Sequence, residues 1–129
     1  MHEFSMAQQI FSIVMKVAKE NNVKKILEIN IEVGQLTFLN PDQLKFALKI
    51  LSEDTIAQDA KIRIEIIQPE IRCNSCKYAG KISYNGPESH TIYPIIFLKC
   101  PKCGSTDVEI IRGKECNIKN IKAIRKEAT

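Results

Sequence analysis

Four of the five cysteines fall into two Cys-x-x-Cys pairs, Cys73-Asn74-Ser75-Cys76 and Cys100-Pro101-Lys102-Cys103. Two intervening residues let the backbone curl until both sulfurs face one point. Four thiolates so arranged close a tetrahedral sphere around Zn²⁺, with metal–sulfur distances of about 2.3 Å. A filled sphere leaves no position for substrate, so such a zinc is structural and cannot activate water. Two disulfides or a redox dithiol are the competing uses of the same residues. Disulfides need an oxidising compartment, and the amino-terminal residues do not resemble a secretion signal. A thioredoxin-like dithiol needs one pair opening a helix after a strand, not two pairs around a β-rich insert. The fifth thiol, Cys116, lies in a strand-like segment and reads as a small hydrophobe in the core.

Met1-His2-Glu3 offers a second kind of metal seat. Histidine in second place is too large for removal of the initiator methionine, so a free α-amine is expected on Met1. That amine, the His2 amide nitrogen and the His2 ring nitrogen can chelate one ion in fused rings. The Glu3 amide can supply a fourth corner, and the Glu3 carboxylate can orient the imidazole. Ni(II) and Cu(II) accept planar nitrogen sets of this kind and displace amide protons, whereas Zn²⁺ gains nothing from them. The other histidine, His90, lies in Pro87-Glu88-Ser89-His90 and is a candidate auxiliary nickel ligand. Ordinary surface exposure is the competing reading of both histidines.

Periodicity outlines what must position these residues. A helix is expected from about Ser5 to Glu20, with Ser5 and Gln8 as a capping box and Ile10, Phe11, Ile13, Val14, Val17 and Ala18 as its apolar stripe. From Leu27 the period changes to two. Leu27, Ile29, Ile31 and Val33 alternate with polar residues up to Gly34. Asn40-Pro41 opens a second helix, with Asn40 as N-cap, Gln43 completing a box, and Leu44, Ala47, Leu48 and Leu51 buried. Ile62, Ile64 and Ile66 mark another strand, which Pro69 ends. Short strands are expected in the cysteine region at 81–84, 92–98 and 108–111. The closing segment reads as strand at 115–118 and 121–124, with a phase slip and bulge between. Two strands make a poor sheet, so the closing strand should return to the first one and leave 70–112 as an insertion.

The fold class expected is therefore α+β, two helices on a small three-stranded sheet with an inserted zinc-ribbon-like β module. Residues 1–69 plus 113–129 would form one domain and 70–112 the other. No apolar run approaches the roughly 20 residues of a membrane span. Metal-type cysteine spacing without a targeting segment points to the cytoplasm. The net charge of +4 is uneven: residues 1–60 hold six basic and eight acidic side chains, while 61–112 hold eight and five. Residues 113–129 hold five basic side chains and two acidic ones. A zinc-ribbon nucleic-acid-binding module is the alternative function. An acidic first half and a shortage of stacking aromatics near the cysteines, Tyr78 and Tyr84 apart, oppose it. No nucleophile–base constellation suggests an enzyme.

Met1-His2-Glu3-Phe4-Ser5-Met6-Ala7, Ile31-Glu32-Val33-Gly34-Gln35-Leu36, the two cysteine pairs and Gly113-Lys114-Glu115-Cys116-Asn117-Ile118 together resemble the HypA/HybF family. The resemblance runs the full length. It implies a non-enzymatic nickel metallochaperone for [NiFe]-hydrogenase maturation. Nickel would be held by the Met1 amine and His2 with Glu3 adjacent, and zinc by Cys73, Cys76, Cys100 and Cys103. It further implies the nickel GTPase HypB and the hydrogenase large-subunit precursor as partners, and leaves a homodimer open. Phe4 stands where the family often has tryptophan. Neither cysteine pair has a neighbouring histidine, so no pH switch at the zinc is expected.

Overall fold

The computed structural model describes residues 2–82 and 98–127. Helix α1 runs His2–Glu20 and buries Ala7, Ile10, Val14 and Ala18. Its start corrects the expectation of Ser5, which lies a turn inside. The reason is tertiary: the first turn is held by the Glu3 carboxylate, which accepts the Asn40 N–H at 2.9 Å. Local capping signals cannot reveal a tether so distant in the chain. The buried stripe is also narrower than expected, because Ile13 and Val17 remain 52% and 39% exposed. After Glu20 the chain turns through Asn22, in the left-handed region at φ 54°, which asparagine tolerates better than most residues.

Strand β1, Val23–Gly34, buries Ile29, Ile31 and Val33 as the alternation predicts. Leu27 breaks the pattern by pointing to solvent, and Ile26 is buried instead, its N–H bonded to the Ile56 carbonyl at 2.9 Å. Helix α2, Pro41–Ser52, opens as its sequence requires: the Asn40 side chain accepts the N–H groups of Asp42 and Gln43, and Pro41 needs no acceptor. The reciprocal half of the cap differs from expectation. The Asn40 N–H goes to Glu3 on the other helix, not to Gln43. Strand β2, Lys61–Ile67, buries Ile62 and leaves Ile66 exposed.

The region after Pro69 forms β3 (Glu70–Cys73), β4 (Ala79–Lys81) and β5 (Val108–Arg112). They make a separate antiparallel sheet in the order β4-β3-β5. Strand β3 was not anticipated, because four residues are too few for a periodic signal. The strand expected at 92–98 lies almost wholly outside the described residues. The closing strand β6, Cys116–Arg125, joins the first sheet in the order β2-β1-β6, as the need for a third strand required. Cys116, Ile118 and Ile121 are its half-buried positions, so the phase slip is present within one continuous strand. Lys122 and Arg63 meet Glu28 at 3.8 and 2.8 Å, and Lys119 meets Glu65 at 3.9 Å. These basic groups are solvent-facing pairs of small energetic weight.

Two compact units result. The first comprises Met1–Glu32, Leu39–Glu65 and Asn117–Thr129; the second comprises Val33–Phe38 and Ile66–Cys116. In the first, the two helices pack together, and Ala7, Ile10, Val14, Leu44, Ala47 and Leu48 share its core with Ile26, Ile29, Ile31 and Ile62. In the second, Gly34 lies against the turn at Gly113. The Gly34 N–H donates to the Glu115 carbonyl at 2.8 Å, and the Leu36 N–H donates to the Gly113 carbonyl at 2.9 Å. A Cβ on Gly34 would meet the Gly113 carbonyl oxygen at 2.2 Å, and that atom is fixed by its own hydrogen bond. Gly34→Ala is therefore expected to destabilise the protein by about 3 kcal/mol or more, read as a lowered denaturation midpoint.

Candidate metal centre

Each cysteine pair sits on a turn built the same way. In the first, the Cys73 N–H donates to the Tyr78 carbonyl at 2.7 Å and the Lys77 N–H returns to the Cys73 carbonyl at 3.0 Å. In the second, the Cys100 N–H donates to Ser105 at 2.9 Å and the Gly104 N–H returns to Cys100 at 2.9 Å. The residue after each second cysteine takes a left-handed conformation, Lys77 at φ 68° and Gly104 at φ 76°. Glycine adopts that conformation freely; lysine is strained by it. The two turns are also stitched to each other. Ser75 Oγ and Ser105 Oγ lie 3.1 Å apart, and the Asn74 amide donates to the Asp107 carboxylate at 3.1 Å.

The four sulfurs converge. All lie within 4.8 Å of one another, with Cys73–Cys103 at 3.6 Å and Cys76–Cys100 at 3.5 Å. A tetrahedron with metal–sulfur bonds of about 2.3 Å has edges of about 3.8 Å, so the donor set fits one four-coordinate ion. Convergence on a single point answers the disulfide reading, which needs two separate bonded pairs. Neither pair opens a helix, as a thioredoxin-like dithiol would. Backbone donors aim at the first sulfur of each pair: Cys76 N–H reaches Cys73 Sγ at 3.4 Å, and the Lys102 and Cys103 N–H groups reach Cys100 Sγ at 3.3 and 3.5 Å.

Those donors shape the ionisation of the cluster. The Cys76 N–H, helped by that of Ser75, brings the Cys73 thiol down to about 6 against the opposing effect of burial. At Cys100 burial is the strongest single influence and pushes upward. The Cys103 and Lys102 N–H groups and the Cys76 thiol together outweigh it, and the thiol is lowered. At Cys103 the Ser105 N–H favours the thiolate most, yet the neighbouring sulfurs and burial together push that thiol up to about 12. A cation among the sulfurs would favour the Cys103 thiolate, because metal binding to thiols releases their protons. Burial alone raises Cys116, which stands apart from the cluster and is half-buried, less enclosed than the core residue expected.

The other candidate ligands lie on the first turn of α1 or outside the described residues. His2 is exposed at the helix start, and Glu3 is half-buried with its carboxylate on the Asn40 N–H. Met1 and His90 lie outside the described residues. Sequence reasoning identified Asn40 as a cap but missed its second role, because nothing local links it to Glu3. It likewise missed Lys77; only the glycine after Cys103 advertised the left-handed position. Among the described residues no helix is long and apolar enough to cross a membrane.

Comparison with known proteins agrees with this geometry. Residues 1–123 match the family described as "Hydrogenase/urease nickel incorporation, metallochaperone, hypA". The hydrogenase maturation factor HypA of Methanothermobacter thermautotrophicus is 42% identical over 127 residues, covering 98% of this chain and all of that one. HypA of Methanococcus aeolicus is 43% identical over 124 residues, covering 93% and 94%. The solution structure of the nickel metallochaperone HypA from Helicobacter pylori superposes with a TM-score of 0.67 at 20% identity, covering 96% of this chain and 98% of that one. At that identity the likeness speaks to fold alone.

Two outcomes follow from the site geometry. The Asn40 N–H, outweighing burial, lowers the Glu3 carboxyl below its ordinary value of 4.5. A lowered folded-state value means that this link stabilises fully above the ordinary value and is lost as pH falls through the folded one. Glu3→Gln should thus cost about 1 kcal/mol at neutral pH and nothing in acid, measured by urea unfolding across the range. Lys77→Gly should raise stability by roughly 0.5–1 kcal/mol in the metal-loaded protein by removing the strain at that turn.

Proposed function

The chain belongs to the HypA family of nickel-incorporation metallochaperones for hydrogenase maturation, and on that premise we propose that it binds Ni(II) at its amino terminus and delivers it to the [NiFe]-hydrogenase large-subunit precursor. The observation that carries this reading is the position of His2, exposed on the first turn of α1. The first four N–H groups of a helix have no intrahelical acceptor. Nickel can therefore displace the His2 and Glu3 amide protons without breaking the helix ladder. The Met1 amine, the His2 ring and those two amides would complete a planar nitrogen set. The positive end of the helix dipole opposes a cation there, which suits a cargo that must be surrendered.

Glu3 supports the site without spending its carboxylate on nickel. Its bond to Asn40 anchors the first turn of α1 to the start of α2 and so holds the nitrogen donors in register. In this reading the tetrathiolate cluster takes Zn²⁺ and is structural, since four thiolate ligands leave no open position. Zinc thus holds the fold, nickel is the cargo, and no catalysis is assigned. HypB is proposed as nickel donor or exchange partner, and the cytoplasm as the place of work, in keeping with thiolates held free of disulfides.

The test is a nickel titration of the zinc-loaded protein with its native amino terminus, beside His2→Ala and an amino-terminally extended form. Both alterations should abolish stoichiometric planar nickel, seen in its d–d absorption, while one zinc per chain is retained. Nickel binding unchanged in both would remove the delivery site from the amino terminus.

A further inference from the structure

The four sulfurs of the cluster are unequally enclosed. Cys73 and Cys100 are 0% and 2% exposed, Cys76 is half-buried, and Cys103 is exposed. Backbone N–H donors reach both enclosed sulfurs, and the Ser105 N–H reaches Cys103, so exposure is what sets Cys103 apart. Among the described residues the surface beside Cys103 is open: Pro101, Lys102 and Gly104 are all exposed, and no atom of those residues lies within 4 Å of the space a Cβ would take on Gly104. A closed four-coordinate zinc has no vacant position, so an incoming group must approach from an open side and expand the sphere.

We propose that Cys103 is the opening ligand of the cluster, the sulfur at which a thiophilic electrophile reacts and at which a competing thiolate begins to remove the metal. This rests on the zinc reading above. With iodoacetamide as the electrophile, the Cys103 sulfur forms a bond to the methylene carbon. The carbon–iodine bond breaks, and iodide leaves with its electron pair. The product is a neutral thioether, a poor ligand for zinc. Cys73, Cys76 and Cys100 would then be the thiolates left to hold a bound zinc, and a chelator would compete with three ligands in place of four. A competing thiolate follows the same route: it enters beside Cys103, and that side chain is the first to be released.

The experiment treats the full chain, loaded with one zinc, with limiting iodoacetamide. Zinc release to a chromophoric chelator is followed while peptide mapping locates the label. Trypsin cuts after Lys102 and so separates Cys100 from Cys103. Among the four cluster cysteines, Cys103 should be labelled first, at least about tenfold faster than Cys73 or Cys100, with zinc release in step. Label on Cys116 is scored separately and should leave zinc in place. Cys103→Ser should retain zinc yet yield it to the chelator faster than the unaltered chain. First labelling at Cys73, Cys76 or Cys100 on zinc-loaded protein would overturn this inference alone. A chain that takes up no zinc would overturn the zinc reading together with it.

Discussion

Mutual repulsion among four thiolates is the constraint on which the second unit depends. Sulfurs confined within 4.8 Å of one another cannot all be ionised unless a cation lies among them. At Cys103 the Ser105 N–H favours the thiolate, but hydrogen bonds with the neighbouring sulfurs and burial together keep the proton in place. Among the described residues of this unit, Val33, Pro69, Ile71, Cys73 and Cys100 carry most of the apolar burial, and two of these five belong to the cysteine cluster. In a small unit a bound metal can act as a staple, its binding energy adding to that of the core. The twin turns, each with its left-handed residue and aimed N–H groups, are the preformed half of that staple.

The first unit is organised on the opposite principle. Its core is ordinary aliphatic packing of two helices with branched residues of a three-stranded sheet. Its one unusual bond joins the Glu3 carboxylate to the N-cap backbone of the other helix. A carboxylate in the first turn of α1 already favours that helix, because it meets the positive end of the dipole. By also accepting the Asn40 N–H, it satisfies a donor that a capping box would have served within α2. One side chain therefore holds two helix starts together, and His2 is presented next to that tie. The four clustered sulfurs are positioned by paired turns, and the exposed helix start is positioned by one carboxylate.

Much of this was legible in the residues alone. Paired cysteines at fixed spacing define a metal site because the geometry of a two-residue turn is local. Alternation in Ile29-Asn30-Ile31-Glu32-Val33 and the Asn40-Pro41 start are local too, and both elements form as read. The return of the closing strand to the first sheet followed from a count of strands, since two could not stand without a third. What only the tertiary structure decided depends on contacts across long stretches of chain. Burial of Ala7 and exposure of Ile13 and Val17 depend on which side of α1 its neighbours cover, and helical spacing cannot choose among overlapping stripes. The start of α1 at His2 depends on Asn40, thirty-seven residues away. Which of four chemically identical thiols faces water depends on how the two turns close upon each other. Spacing specifies the donors of a site, because local backbone geometry brings them together; exposure and tethering are set by packing, which no local pattern contains.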